Sequence, residues 1–449
     1  MKVIQVIPEL ASLSNKTRQA QLYEQFILNL PSYHAFTILP YLEHLKINST
    51  ITKLFATFED FEVFKSNIPS SDSEIYLIKP KAESFTPECF NEKIKTVLFF
   101  NQAVAEFIIS LKKEYTIHCH SPLTGFLPLF LQNKEIKYPC LFTLHNLKQD
   151  YRFNPADLTG FVEDYTDLKQ ADTAIKVGVL FSDIINLCSR KYAQEVLEEN
   201  SEYQEYFMIK KDKLYGIMNG IRYGEWNPVL DEKIPCKYSP TNLYGRFYNK
   251  AILQEKLDLP DTDVPLLFFG TRLSDEKGFN ILLESIDMIK KMPVQLLIYG
   301  TGDEYPKQKT EELLNHSSNI RYIREYDEDF VHFILAGSDF YLLPAKVEPD
   351  GISFLYALKY GLIPIAYHTG GHVDAIGDLT NEDPNKVNGF FFHNYDSNSF
   401  IASIREAIEV WRDKPLFGKF MNNAMEADWS WKSAIRQYEA LYQKVSAKV

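Results

Sequence analysis

At 449 residues the chain is long enough for two or three domains of ordinary size. Its 48 Lys and Arg against 60 Asp and Glu give a formal charge of −12, a balance that repels nucleic acid and anionic membrane. Any phosphate it binds must therefore be held by local cations. No apolar run approaches the length of a membrane span. Cys89, Cys119, Cys140, Cys188 and Cys236 include no C-x-x-C pair, which argues against a disulfide framework or a zinc site. The odd count and the lack of a secretory leader point to a reducing, cytoplasmic setting.

In chain order, the spacing predicts strands at 3–7, 117–120, 140–144 and 184–188. A second set follows at 266–270, 295–300, 319–323, 340–343 and 363–367. Helical patterns such as 278–291 and 352–360 lie between them. This alternation predicts an α/β chain with parallel sheets covered on both faces, and the pattern runs twice. Residues 227–265, rich in Pro, Tyr, Asp and Lys, read as the connection, with a helix at 250–257. Near the end, Ile435, Tyr438, Leu441, Tyr442 and Val445 keep helical spacing, which predicts a terminal amphipathic helix.

Three junctions could carry chemistry, and two further segments are weighed beside them. In Phe269-Gly270-Thr271-Arg272-Leu273-Ser274-Asp275-Glu276-Lys277-Gly278, Arg272 and Lys277 follow a strand and flank a helix start, an arrangement that clamps a diphosphate. The alternative is a solvated turn. In Pro344-Ala345-Lys346-Val347-Glu348-Pro349-Asp350-Gly351, a carboxylate at a strand's end can bind sugar hydroxyls beside a glycine that allows close approach. The alternative is a helix-capping acid, a role Asp350 equally fits. The run from His368 to Asp374, with Gly370 and Gly371, offers a backbone nest for an anion or hydroxyl. His118-Cys119-His120 puts two imidazoles on one strand face; no third metal ligand is near, so a core or sugar-facing role is favoured over a metal pair. Asp261-Thr262-Asp263 precedes a strand instead of ending one and reads as a polar loop.

Together these segments resemble bacterial glycogen synthase and plant starch synthase, retaining glycosyltransferases of GT-B fold. Thr143-Leu144-His145-Asn146-Leu147 resembles T-I-H-N-L, and Gly216-Ile217-Met218-Asn219-Gly220-Ile221 with Trp226-Asn227-Pro228 resembles G-I-x-N-G-I-D with W-N-P. The R-L-x-x-x-K-G segment, Glu348-Pro349-Asp350-Gly351 for E-P-C-G, Tyr360-Gly361-Leu362-Ile363-Pro364 for Y-G-T-I-P and Ser430-Trp431 follow in family order. The ordered set is far more specific than any one member.

The resemblance implies two Rossmann-like domains with a cleft between them. Residues 1–235 form the acceptor-side domain, 236–429 the nucleotide-sugar domain, and 430–449 a helix crossing back to the first. It implies transfer of glucose from a nucleotide-diphosphate glucose, with ADP-glucose favoured and the choice between ADP and UDP left open by the sequence, to an α-1,4-glucan, without metal or cofactor. On matching positions Arg272, Lys277 and Glu348 are catalytic, and Asp350, Gly351, Ser353, Thr369, Gly370 and Gly371 hold the donor. Glu9, Lys16, His120, His145, Asn146 and Asn219 face the acceptor side. Lys277→Ala is expected to weaken diphosphate binding with little change in fold stability.

The departures lie mainly in the first half. The family's K-T-G-G-L loop is replaced by Ser12-Leu13-Ser14-Asn15-Lys16-Thr17-Arg18-Gln19-Ala20, which keeps a cation at Lys16 and loses both glycines. The sugar-contacting His of H-D-W-H aligns with Leu123, and Arg222 replaces the Asp of N-G-I-D. Three outcomes are open: a slow or differently specific glucan synthase, transfer of another sugar or to another acceptor such as protein or lipid, and a paralogue that binds glucan or a partner without turnover.

Overall fold

Short apolar runs bounded by turn residues become strands of two separate parallel-rich sheets. The computed structural model describes every residue except 1, 14–16, 31–32, 43–44, 46–51, 70, 83–84, 87–89, 91–92, 133–136, 148–149, 163–167, 169, 303–304, 306, 315–316, 382 and 448–449. The chain divides into one unit of Met1–Gly220 with Trp431–Val449 and another of Ile221–Ser430. The sequence places the boundary at 235–236 instead, because it assigns the Pro-rich stretch after Trp226 to a connection. In the structure that stretch packs on the second unit: buried Asp231 bonds His332 Nδ1 at 2.8 Å, and Trp226 stacks on His332 with ring centroids 3.8 Å apart.

In the first unit, β1 (Val3–Val6), α1 (Arg18–Leu28), β2 (His34–Pro40), β3 (Lys53–Thr57), β4 (Phe61–Asn67) and β5 (Glu74–Pro80) come first. They are followed by α2 (Ile94–Ser110), β6 (Thr116–His120), α3 (Leu127–Gln132), β7 (Cys140–Leu144), α4 (Ala174–Phe181), β8 (Ile184–Leu187), α5 (Arg190–Glu198), α6 (Gln204–Ile209) and β9 (Leu214–Gly216). The sheet order is β3-β4-β5-β2-β1-β6-β7-β8-β9. Pairing is parallel from β5 through β9 and antiparallel where β4 meets β3 and β5. That antiparallel arm was not among the expected strands. Its β4 alternates buried Phe61 and Val63 with half-exposed neighbours, unlike the continuous apolar runs of strands buried on both faces.

In the second unit, α7 (Tyr244–Lys256) leads into β10 (Leu266–Gly270), α8 (Phe279–Ile289), β11 (Gln295–Tyr299), α9 (Lys307–Leu314), β12 (Ile320–Ile323), α10 (Glu328–Gly337) and β13 (Phe340–Leu343). Then come α11 (Ile352–Lys359), β14 (Ile363–Tyr367), α12 (Gly370–Ala375), β15 (Phe390–Phe392), α13 (Ser397–Arg412) and α14 (Lys414–Glu426). Helix α7 begins six residues before the expected 250, since its first turns carry exposed aromatics that break the apolar periodicity. The sheet is wholly parallel, in the order β12-β11-β10-β13-β14-β15.

The last helix, α15 (Trp431–Ser446), belongs to the first unit and buries Ile435, Tyr438, Leu441, Tyr442 and Val445, the residues whose spacing predicts it. Its hydroxyls meet a polar layer on the sheet. Tyr442 Oη lies 2.8 Å from His118 Nδ1, Asn186 Nδ2 donates to Tyr438 Oη at 3.0 Å, and Ser446 Oγ is 3.0 Å from Thr116 Oγ1. His118 Nε2 meets Thr143 Oγ1 at 2.8 Å, and His120 Nε2 donates to Gln5 Oε1 at 2.8 Å. The two imidazoles lie 3.8 Å apart, centroid to centroid, and are fully buried. The His118–His120 pair is thus structural, and among the described residues no group of His, Cys, Asp and Glu gathers to hold a metal.

Burial, and the proximity of His145 to both, hold His118 and His120 well below the ordinary imidazole pKa. An unfolded chain takes up protons at these residues near pH 6.5, whereas the folded chain refuses them. Stability should therefore be complete above about pH 7 and fall as pH drops through the ordinary imidazole range. Thermal unfolding followed at pH 7.5 and pH 5.5 is expected to show a lower midpoint at pH 5.5; an equal or higher midpoint would contradict the neutral cluster.

Candidate active site

Strands β10 and β13 are neighbours in the second sheet, but the strands that follow each lie on opposite sides. Loops leaving such a pair diverge, which opens a crevice at the carboxyl edge of the sheet. Both charged segments singled out from the sequence leave this pair of strands. After β10 a single tight turn over Asp275–Lys277 ends at Gly278, whose φ is +76° and where a Cβ would overlap the Pro344 carbonyl oxygen. Lys346 N–H donates to the Glu276 carbonyl at 3.0 Å. The two loops are therefore docked by backbone contact, and side chains do not have to find each other.

The side chains meet as well. Lys277 Nζ donates to Glu348 Oε2 at 2.7 Å, and Gly351 N–H donates to Glu348 Oε1 at 3.2 Å. The Lys277 and Glu348 side chains are 18% and 9% exposed, so the pair is largely shielded from water. The geometry argues against the expectation that Lys277 can be removed at little cost to the fold: its loss takes a close cation from a nearly buried carboxylate. Arg272 lies on the same loop, exposed, and pairs with no carboxylate among the described residues.

A third loop closes the arrangement. Gly371 N–H donates to the Glu348 carbonyl at 2.8 Å, and a Cβ at Gly370, with φ +44°, would overlap that carbonyl oxygen. Thr369, buried, directly precedes α12, and Asp350 and Ser353 are half-buried at the start of α11. The structure thus brings Arg272, Lys277, Glu348, Asp350, Gly351, Ser353, Thr369, Gly370 and Gly371 to three loops at one edge of one sheet. Two cations, two carboxylates and several backbone N–H groups at helix starts suit a phosphorylated sugar.

In the first unit the corresponding edge lies after β1 and β6, where that sheet's strand order also diverges. Glu9 Oε1 accepts from Thr17 Oγ1 at 2.7 Å, and Thr17 in turn caps α1 by accepting from Ala20 N–H at 3.0 Å. Lys16 lies outside the described residues. His145 is buried beside Cys188 Sγ at 3.6 Å, and its ring lies parallel to that of His120, 6.1 Å away. Asn146 is half-buried at the end of β7; Asn219 is buried, and its amide nitrogen finds no acceptor among the described residues. His120 is 1% exposed and committed to Gln5, a packing position more than a sugar-facing one.

Sequence reasoning passed over Tyr326. Its ring is 69% exposed just past the end of β12, at the same carboxyl edge as Lys277 and Glu348. Two strand spacings, about 10 Å, separate β12 from β10. An aromatic left bare after a strand was the available signal, hidden among 27 Tyr.

Known proteins resemble this chain along most of its length. Residues 22–210 match the starch synthase catalytic domain and residues 250–424 the glycosyl transferases group 1 domain. The glycogen synthase of Thermosipho melanesiensis is 32% identical over 421 residues, covering 87% of this chain and 86% of its own length. The glycogen synthase of Geotalea daltonii is 33% identical over 349 residues, covering 74% and 72%. The chain belongs to the glycogen synthase family. It is accordingly a glycosyltransferase. The catalytic domain of starch synthase IV from Arabidopsis thaliana, solved with ADP and acarbose, superposes with a TM-score of 0.81 over 99% of both chains at 23% identity, which establishes the GT-B fold.

The departures from the family pattern have local structural readings. Leu123 is 3% exposed inside a tight turn, where Asn101 Nδ2 donates to its carbonyl at 2.7 Å. Where the family has its sugar-contacting His, this chain therefore has a packed residue. Arg222 pairs with Glu225 at 3.2 Å on the surface of the second unit.

Proposed function

We propose that this protein is a retaining, metal-independent α-glucan synthase that takes glucose from ADP-glucose and adds it to an α-1,4-glucan. The observation that carries this reading is the Lys277–Glu348 pair at 2.7 Å with exposed Arg272 beside it, at the switch point of the second sheet. Arg272 and Lys277 neutralise the diphosphate as the bond from glucose C1 to the phosphate oxygen breaks. Glu348 and the backbone at Gly351 hold the glucose hydroxyls, with Asp350 and Ser353 at their flank. The Thr369–Gly371 turn presents N–H groups to the phosphates.

In the free protein both carboxylate oxygens of Glu348 are engaged. Donor binding therefore draws the Lys277 ammonium toward phosphate and turns Glu348 Oε2 toward the sugar hydroxyls. Retention proceeds by attack on the face the diphosphate leaves: the acceptor hydroxyl oxygen bonds to C1, and its proton passes to the departing phosphate oxygen. Two fixed cations supply the charge stabilisation that a metal supplies in other transferases. Glu9, His145, Asn146 and Asn219 are the acceptor-side candidates. No helix among the described residues is long and apolar enough to cross a membrane, and a reducing, cytoplasmic setting suits the buried free thiols of Cys119, Cys140 and Cys188.

The test is a transfer screen with ADP-, UDP- and GDP-glucose, each with and without glycogen. Incorporation of glucose into glycogen, fastest from ADP-glucose, is expected. Absence of transfer and of nucleotide-sugar binding for every donor would overturn the reading. Tyr326 is the candidate platform for the base, since an exposed ring can stack on any nucleobase. Tyr326→Ala is expected to raise the KM for the nucleotide-sugar about tenfold with little change in thermal midpoint; an unchanged KM would remove it from the site.

A further inference from the structure

Helix α7 leaves three aromatic rings in water. Tyr244, Phe247 and Tyr248 are 74%, 58% and 52% exposed. Their spacing of three and four residues puts them on one face, while Arg246, Asn249 and Leu253 bury the other against the second unit. Three large rings gathered on a surface mark an interaction site more often than chance exposure.

Phe247 also walls a cavity of about 250 Å³, shared with Gln254, the loop Asp261-Thr262-Asp263, and Lys414. At its base Lys250 Nζ pairs with Asp339 Oδ2 at 2.6 Å, and that same oxygen accepts from Leu266 N–H at 2.8 Å. Leu266 begins β10 and Asp339 directly precedes β13. The cavity therefore sits at the amino-terminal edge of the sheet, opposite the carboxyl edge that carries Lys277 and Glu348.

We propose that this face is a second α-glucan-binding site, distinct from the site of transfer. It stacks sugar rings on Tyr244, Phe247 and Tyr248 and accepts their hydroxyls at Asp261, Thr262 and Asp263. The proposal rests on the glucan-acceptor reading above. A glucose unit has an apolar C–H face and a rim of hydroxyls, so it needs aromatic rings beside hydrogen-bond acceptors, and this surface supplies both. Tyr and Phe rings lose few torsions when a ligand settles on them. The acids beside them carry no penalty for a neutral polyol, whereas on a chain of charge −12 they repel an anionic polymer. Asp263, 84% exposed and only 3.6 Å from Lys414 Nζ, is open to a hydroxyl. Because the acceptor is a polymer, a second weak grip raises its effective concentration at the protein and keeps successive additions on one particle.

The experiment is affinity electrophoresis in gels containing glycogen, without any nucleotide-sugar, comparing the native protein with the triple variant Tyr244→Ser, Phe247→Ser, Tyr248→Ser. Rates on glycogen and on maltotetraose are measured in parallel. Retention by glycogen is expected to weaken about tenfold in the variant, and the KM for glycogen to rise several-fold. Rates on maltotetraose and the thermal midpoint are expected to stay at native values. Unchanged retention overturns the proposal. So does a fall in oligomeric mass by light scattering with glycogen affinity intact, which assigns the face to a protein contact. Retention is read without a donor, so a chain that fails to transfer glucose yet loses glycogen binding in the variant sinks the transfer reading and leaves this one standing.

Discussion

Lys277→Ala is expected to lower kcat for transfer from ADP-glucose by roughly a thousandfold, about 4 kcal/mol of transition-state stabilisation. The size follows from geometry. The ammonium is held 2.7 Å from Glu348 in a site only 18% open to water on its own side, where charge interactions are screened little. Its loss has a second consequence. Glu348, 9% exposed, loses the ammonium 2.7 Å away while its contact with the Gly351 N–H stays, so a largely shielded carboxylate is less well compensated. A folding cost of about 1–3 kcal/mol is expected, reduced from the fully buried case because Lys277 is partly exposed. The stability cost is checked in a double variant: thermal unfolding of Lys277→Ala with Glu348→Gln should recover much of the stability lost in Lys277→Ala, because the charge left in a shielded site is gone, and no recovery would contradict that reading.

Gly370→Ala is the second large effect expected, and it arises without removing any charged group. The glycine sits at φ +44°, where an added Cβ overlaps the carbonyl oxygen of Glu348, and the next N–H donates to that same carbonyl at 2.8 Å. Backbone on both sides leaves nothing flexible to give way. The loop carrying Glu348 must shift, and a displacement near 1 Å at a reacting centre costs on the order of a hundredfold in kcat/KM. Strain in the turn adds about 1–3 kcal/mol of destabilisation. Steady-state kinetics and thermal unfolding measure both; native kinetics would show that the loops tolerate the clash and that their docking does not set the geometry.

The legible part of the fold was the part built from uninterrupted apolar runs. Leu266–Gly270, Phe340–Leu343 and Ile363–Tyr367 coincide with the spans read from the sequence, because strands buried on both faces carry apolar side chains throughout. In the arm from Lys53 to Pro80, β3 is largely exposed and β4 alternates buried with half-buried residues, a weaker signal, whereas residues 75–78 of β5 are a buried apolar run that the sequence reading passed over. The donor loops were legible because their residue types are unusual just after a strand. Their docking was not: the contacts of Gly278 with Pro344 and of Gly370 with Glu348 join positions far apart in the chain. The same limit applies to His118 and His120. Alternation put them on one face, but only the return of Tyr438 and Tyr442 on the last helix shows that this face is closed.

The central claim is that Arg272 and Lys277 together hold the leaving diphosphate. Its most direct measurement is calorimetric binding of ADP and of AMP to the native protein and to Arg272→Ala and Lys277→Ala. The native protein should prefer ADP, since only ADP carries the second phosphate, and each variant should lose most of that preference while its AMP affinity changes little. An ADP-to-AMP preference that survives both substitutions would contradict the clamp.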